Sequence, residues 1–139
     1  MTKEEIARLI EEEGDHERFE YRGLRCYIVR NPKFGYLLGY VETPCEIDWN
    51  TVEGIDVHGG VSFIGQIGET YYPIEAREEK IHVVGFFCGR LFDYVPFQSE
   101  LCSLDEQTYK TMRYVENECR KLADQLLKIA EERNKDNGR

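Results

Sequence analysis

From Asp105 onward, apolar residues recur at three- and four-residue spacing: Tyr109, Met112, Val115, Cys119, Leu122, Leu126 and Ile129. That period predicts a helix with one continuous apolar face, running about six turns. A face of this length must be covered. The expected cover is a sheet built from the segments that precede it.

Those segments alternate with period two. Between Arg18 and Glu42 the apolar positions are Phe19 and Tyr21, then Leu24, Cys26 and Ile28, then Tyr36, Leu38 and Tyr40. Gly23 and Asn31-Pro32 interrupt them, so the stretch reads as a three-stranded antiparallel meander. Pro44 to Glu53 reads as a loop carrying the only tryptophan, Trp49. Ile55 to Phe63 reads as a further strand interrupted by Gly59 and Gly60, and Ile81 to Phe87 as a short buried strand. Gly65, Gly68 and Pro73 mark a loop or irregular hairpin between them, and Pro96 to Ser103 a second loop.

At the N-terminus, Thr2-Lys3-Glu4-Glu5 has the form of a capping box, and Ile6, Leu9 and Ile10 follow at helical spacing before Gly14. The glutamates Glu11, Glu12 and Glu13 sit at the end of this helix where the macrodipole disfavours negative charge. Packing is therefore expected to hold it. The expected fold is α+β: a mainly antiparallel sheet of about five or six strands, a short N-terminal helix, and a long C-terminal helix packed on the sheet. Residues 1–139 form one domain in this reading, with 134–139 a frayed polar tail.

Composition narrows the function classes. A length of 139 residues with 41% hydrophobic and 32% charged residues suits one self-sufficient core, and nine Tyr with seven Phe are far too many for a disordered chain. The net charge is −9. Residues 1–104 hold 10 Lys and Arg against 19 Asp and Glu, whereas residues 105–139 hold 8 of each. An acidic body repels phosphate backbones and anionic lipid, so no nucleic-acid or membrane partner is expected. Its acidic groups fall in short clusters rather than the extended array that mimicry of nucleic acid would need. Cys26, Cys45, Cys88, Cys102 and Cys119 are odd in number and contain no C-x-x-C pair, against a zinc ribbon or a disulfide framework. No apolar run approaches the roughly 18 residues of a membrane span, and Met-Thr-Lys-Glu-Glu lacks a signal sequence, so a cytoplasmic setting is expected.

The most site-like segment is His58-Gly59-Gly60. Paired glycines within an apolar alternation mark a bulge or a point where something approaches the backbone, either a ligand or another element of the fold. His58 can act as base, donor or metal ligand; His16 and His82 are weaker candidates. The second segment runs from Cys88 to Tyr94 and sets Arg90 and Asp93 among aromatics. A guanidinium beside aromatic rings suits pairing with phosphate or carboxylate, unless an Arg90–Asp93 ion pair merely ties down the loop. Cys88, following two phenylalanines, reads more readily as a buried thiol than as a nucleophile. P-loop, dinucleotide-binding, nucleophile-elbow and H-E-x-x-H signatures are absent from the sequence.

The succession Gly39-Tyr40-Val41, Val57-His58-Gly59-Gly60-Val61-Ser62-Phe63, Val84-Gly85-Phe86-Phe87-Cys88 with Asp93 and Val95-Pro96, then Tyr109, Tyr114-Val115, Glu118 and Leu122-Ala123-Asp124-Gln125-Leu126 resembles a family of small uncharacterised bacteriophage and prophage proteins. The resemblance spans about Leu38 to Leu126. In that family the second motif runs Gly-Phe-Asp-Cys-Ala-His before an aspartate. Here Phe87 stands for the Asp, and Gly89 and Arg90 for the Ala-His pair. If the family's Asp and His complete a metal or acid/base site with the His of H-G-G, this chain lacks two of its parts. His58, Gly59, Gly60, Cys88 and Asp93 remain, which is consistent with a pocket that binds.

The expected function is capture of a small anionic molecule, a nucleotide signal of host defence in the phage setting that the resemblance implies. His58, Gly59, Gly60, Ser62, Cys88, Arg90, Asp93 and Tyr94 form the expected ligand-binding set, with Arg90 on the anion and Tyr94 or Phe92 stacking. No cofactor and no metal is assigned. A homo-oligomer is expected, since Arg90 alone supplies little positive charge. Two alternatives stand beside this reading. One is a hydrolase using His58 and Asp93 as an acid/base or metal-ligand pair; the other is an interaction module whose acidic face blocks a basic host protein.

Overall fold

The computed structural model describes residues 1–68 and 80–137. Its secondary structure runs α1 (Lys3–Glu13), β1 (His16–Tyr21), β2 (Leu24–Arg30), β3 (Leu37–Glu42), α2 (Trp49–Val52), β4 (Phe63–Gly68), β5 (Lys80–Phe87), a 3-10 helix (Pro96–Leu101) and α3 (Met112–Asn137). The five strands form one antiparallel sheet in the order β1-β2-β3-β5-β4. No helix among the described residues is long and apolar enough to cross a membrane.

The meander forms, but in β3 it is Leu37 and Val41 that join the cluster with α3, while Leu38 and Tyr40 belong to a second cluster on the other face of the sheet. Phe19 pairs with Cys26, and Cys26 in turn with Val41, so β2 is flanked by a strand on each side and its inward side chains are buried. One face of the sheet packs on α3: Cys26, Ile28, Val41, Val84 and Phe86 meet Val115, Cys119, Leu122 and Leu126 in one cluster. Each fully buried leucine contributes roughly 1.5–3 kcal/mol by leaving water, so this seam dominates the stability. The helix comes especially close at Gly39, where a Cβ would lie 2.6 Å from the Phe86 ring and 2.9 Å from Cys119 Sγ.

The capping box at α1 is present in full: Thr2 Oγ1 accepts the Glu5 N–H and Glu5 Oε1 accepts the Thr2 N–H, both at 3.1 Å. Gly14 ends the helix. Packing also explains the glutamate at the unfavourable end. Glu13 turns inward onto Arg30, which is 5% exposed, and onto the Tyr109 hydroxyl.

The structure departs from the sequence reading in several places. The long helix begins at Met112 rather than near Asp105, because Tyr109 joins Ile6 and Tyr94 in a separate cluster instead of extending the helical stripe. It continues to Asn137, so Asn134 to Asn137 are helical rather than frayed. Ile55 to Ser62 is not a strand. Its alternating apolar residues Ile55, Val57 and Val61 tuck under α3 from a loop, and β4 starts only at Phe63. Gly65 and Gly68 lie within that strand, while Pro73 lies outside the described residues. The loop at Pro44 to Glu53 includes the short α2, and that at Pro96 to Ser103 includes the 3-10 helix.

Candidate functional site

The segment from Ile55 to Gly60 is irregular, and side chains of α3 fix its path. Gln125 Oε1 accepts the Asp56 N–H at 2.8 Å, and Gln125 Nε2 donates to the Asp56 carbonyl at 2.8 Å. Two residues on, Glu118 Oε1 accepts the His58 N–H at 2.8 Å. Three backbone groups that a loop would otherwise leave to solvent are thus satisfied by the helix. Gly59 and Gly60 follow with φ of 68° and 81°, in the left-handed region that disfavours other residues.

The second segment leaves β5 at Phe87 and turns tightly. The Asp93 N–H donates to the Arg90 carbonyl at 2.9 Å, and the Arg90 N–H donates to Asp93 Oδ2 at 3.0 Å. A parallel bridge between Asp93 and Thr108 then brings Lys110 alongside. Its Nζ lies 3.3 Å from Asp93 Oδ1.

The two segments meet at Asp93. His58 Nε2 is 2.9 Å from Asp93 Oδ2, and His58 Nδ1 is 2.8 Å from the Tyr114 hydroxyl. Burial alone would raise the Asp93 carboxyl, which is 1% exposed. The hydrogen bonds from His58 and the Arg90 N–H, with the charges of His58 and Lys110, outweigh it and hold the group below the ordinary carboxylate range. An ionised Asp93 only accepts, so Nε2 carries a proton. Tyr114 is pushed up to about 12 by burial first, and then by the negative charges of its surroundings, Glu118 foremost. It stays protonated, and its hydroxyl is hydrogen-bonded to His58 Nδ1. Both ring nitrogens of His58 are therefore engaged within the protein.

Arg90 is arranged differently. Its guanidinium stacks over Phe87, 4.7 Å from the ring centroid, and its side chain lies against Gly59, where a Cβ would stand 2.0 Å from Arg90 Nε. The absence of a side chain at Gly59 makes room for the arginine. Among the described residues no carboxylate lies within ion-pair distance of this exposed guanidinium, and Asp93 is taken by His58 and Lys110 instead. The Arg90–Asp93 ion pair that would merely tie down the loop does not form.

Of the other expected residues, Cys88 is buried beneath the site, and burial first, then Asp93, pushes its thiol far up. Ser62 is spent on the Gly85 carbonyl, which its backbone N–H reaches at 2.9 Å and its hydroxyl at 3.4 Å. Tyr94 is buried against Ile6 and Tyr109, away from solvent, so it offers no stacking surface. Phe92, two residues from Arg90, is 71% exposed. Tyr114, Lys110 and Glu118 complete the cluster without having been singled out from sequence as site residues. The available signal was the i, i+4 spacing of Tyr114 and Glu118, one position before the apolar residues Val115 and Cys119.

Among the described residues no group of three His, Cys, Asp or Glu side chains converges as a metal site would require. Fold and site together define an antiparallel α+β fold in which loop-borne His58 and Asp93 meet Tyr114 of the C-terminal helix, beside an arginine without an ion-pair partner among the described residues. Compared with protein-family models, curated proteins and solved structures, the chain matches none.

Proposed function

We propose that the protein binds a small anionic molecule at Arg90, beside His58, Gly59 and Gly60. The observation that carries this reading is the exposed guanidinium itself: stacked on Phe87, seated against Gly59 and without a carboxylate among the described residues. An arginine pre-positioned in this way loses little freedom when it pairs with phosphate or carboxylate oxygens. In a chain of net charge −9, such an opening is local, and the acidic surroundings disfavour larger polyanions. The resemblance to phage proteins adds the ligand class, a nucleotide signal of host defence.

Binding without turnover is favoured by what the site withholds. Both nitrogens of His58 are hydrogen-bonded to protein groups, and Cys88 is buried with its thiol pushed up. Neither a free imidazole lone pair nor a thiolate is presented to a ligand. A second reading rests on the 2.9 Å contact of His58 with Asp93, which also suits a hydrolase in which Tyr114 yields Nδ1 to substrate.

A thermal-shift panel of nucleotides and simpler phosphates, with and without divalent metal ions, tests both. A ligand at 100 times its dissociation constant stabilises by about 2.7 kcal/mol. Binding is expected to be lost in Arg90→Ala. A shift that survives in Arg90→Ala places the anion elsewhere. Product formation that vanishes in His58→Ala replaces the binding reading with the hydrolytic one.

A further inference from the structure

A cleft of about 400 Å³ opens on the other side of the paired glycines, lined by Trp49, Asn50, Glu53, Ile55, Gly60 and Val61. Gly60 is its point of contact with the site above. A Cβ built there meets nothing within 4 Å, whereas one built on Gly59 runs into Arg90. Two consecutive residues thus face in two directions, one onto the guanidinium and one beside open space. The cleft and the anion position are separated by a single peptide unit.

The wall opposite Gly60 is firmly built. Asp48 caps α2, its Oδ1 accepting the Thr51 N–H at 2.8 Å. Arg133 of α3 ties the same turn down by donating to the Thr51 hydroxyl at 2.9 Å and to the Glu46 carbonyl. Val52 is buried below. On this anchored turn Trp49 remains 56% exposed, a large aromatic surface left to solvent beside a cleft rather than packed into the core. Ile55 and Val61 make the remainder apolar, and Asn50 and Glu53 place an amide and a carboxylate at its edge.

We propose that this cleft is a subsite for a planar nitrogen heterocycle, the base of a nucleotide whose phosphate pairs with Arg90. The inference rests on the anion-binding reading for the phosphate half, but the ring half stands on its own residues. Trp49 supplies the stacking face. The Glu53 carboxylate, which can only accept, suits a ring edge with adjacent N–H donors, as guanine presents through N1 and its 2-amino group, and Asn50 can serve either a donor or an acceptor. The negative charge of Glu53 also keeps the phosphate out of this end and directs it across Gly59 to Arg90.

Because Trp49 is the only tryptophan, its fluorescence reports on the cleft directly. The experiment titrates the intact protein with guanosine, ribose 5-phosphate and guanosine 5′-monophosphate, following tryptophan emission and binding heat in parallel. Guanosine and the nucleotide are expected to quench Trp49, and ribose 5-phosphate to bind without quenching. The nucleotide should bind roughly 5- to 150-fold more tightly than ribose 5-phosphate, the range spanned by stacking one base. Trp49→Ala should remove that advantage and leave the affinity for ribose 5-phosphate unchanged, and Trp49→Phe should restore part of it. Nucleotide binding with unaltered emission and no loss in Trp49→Ala overturns the subsite while leaving the anion site intact. Quenching by guanosine with no heat from ribose 5-phosphate, and no gain for the nucleotide, supports the subsite and overturns the anion reading. Silence from all three overturns both.

Discussion

Glu13 caps the long helix from the far end of the chain: its Oε2 accepts the Met112 N–H at 2.7 Å. Its other oxygen accepts from the Tyr109 hydroxyl at 2.6 Å and from Arg30 at 3.3 Å. One carboxylate therefore satisfies an orphan donor at the start of α3 and neutralises a guanidinium buried between α1 and the sheet. Glu13→Ala leaves the Met112 N–H without this acceptor and Arg30 with only the exposed Asp15 carboxylate, 3.5 Å away, as its ion-pair partner among the described residues. It should destabilise the protein by about 3–5 kcal/mol in denaturant unfolding, the cost of breaking a buried pair. Glu13→Gln, which keeps an acceptor, should lose less.

The glycine pair makes a sharper distinction. Alanine at either position must adopt a left-handed backbone, costing about 1–2 kcal/mol. Only at Gly59 does the new methyl also collide with Arg90. Both variants should show a similar loss of stability, but Gly59→Ala alone should abolish binding of ribose 5-phosphate by displacing the guanidinium. Equal binding by the two variants would remove Arg90 from the site.

The pH dependence follows from Asp93, whose carboxyl the folded protein holds below its ordinary range. A depressed acid contributes stability that is fully present above its unfolded value, about 3.9, and is lost as pH falls through the folded value. The acid limb of the stability profile should therefore drop below about pH 4, and Asp93→Asn should flatten its share of that limb. At neutral pH the same substitution should cost roughly 1–3 kcal/mol, because His58 and Lys110 lose a charged acceptor. A variant whose acid limb matches that of the unmodified protein would contradict the ionised Asp93 on which the His58 tautomer depends.

Thiol reactivity should sort by burial. All five cysteines are free. Burial pushes Cys26 up to about 12 and raises Cys88 and Cys119 well above the ordinary thiol range, while Cys45 and Cys102 lie half-buried near the surface. Alkylation of the native protein at pH 8, read by mass spectrometry, should modify Cys45 and Cys102 well before the other three. Rapid labelling of Cys88 would return it to consideration as a nucleophile.

The sequence made the frame of this molecule readable wherever a period belonged to one element. Cys26 and Ile28, or Leu122 and Leu126, face the core because strand and helix repeat as they do. The reading failed where apolar residues reached the core without a regular element beneath them. Val57 and Val61 alternate like a strand yet hang from a loop, since Glu118 and Gln125 satisfy the backbone that a neighbouring strand would otherwise have paired. Tyr109 continues the helical spacing but belongs to the α1 cluster. His58, Arg90 and Asp93 were legible because histidine, arginine and glycine in apolar surroundings are conspicuous. Lys110 was not, because only the bridge between Asp93 and Thr108 brings it in, and such pairing leaves no local pattern. Tyr94 was misjudged for a related reason: the turn at Arg90 sends successive side chains to opposite sides.

The loop from Asp56 to His58 is shaped by bonds from helix side chains to its backbone atoms, while of its own side chains Asp56 pairs with Lys121 of α3 at 3.7 Å and Ile55 packs on the core. The information for the loop's conformation is thus written some sixty residues away, in Glu118 and Gln125. Substitution of Asp56 removes its ion pair with Lys121 but leaves the backbone bonds to Glu118 and Gln125 in place. Divergent chains that keep Glu118 and Gln125 are expected to keep the course of this loop whatever residues they carry along it.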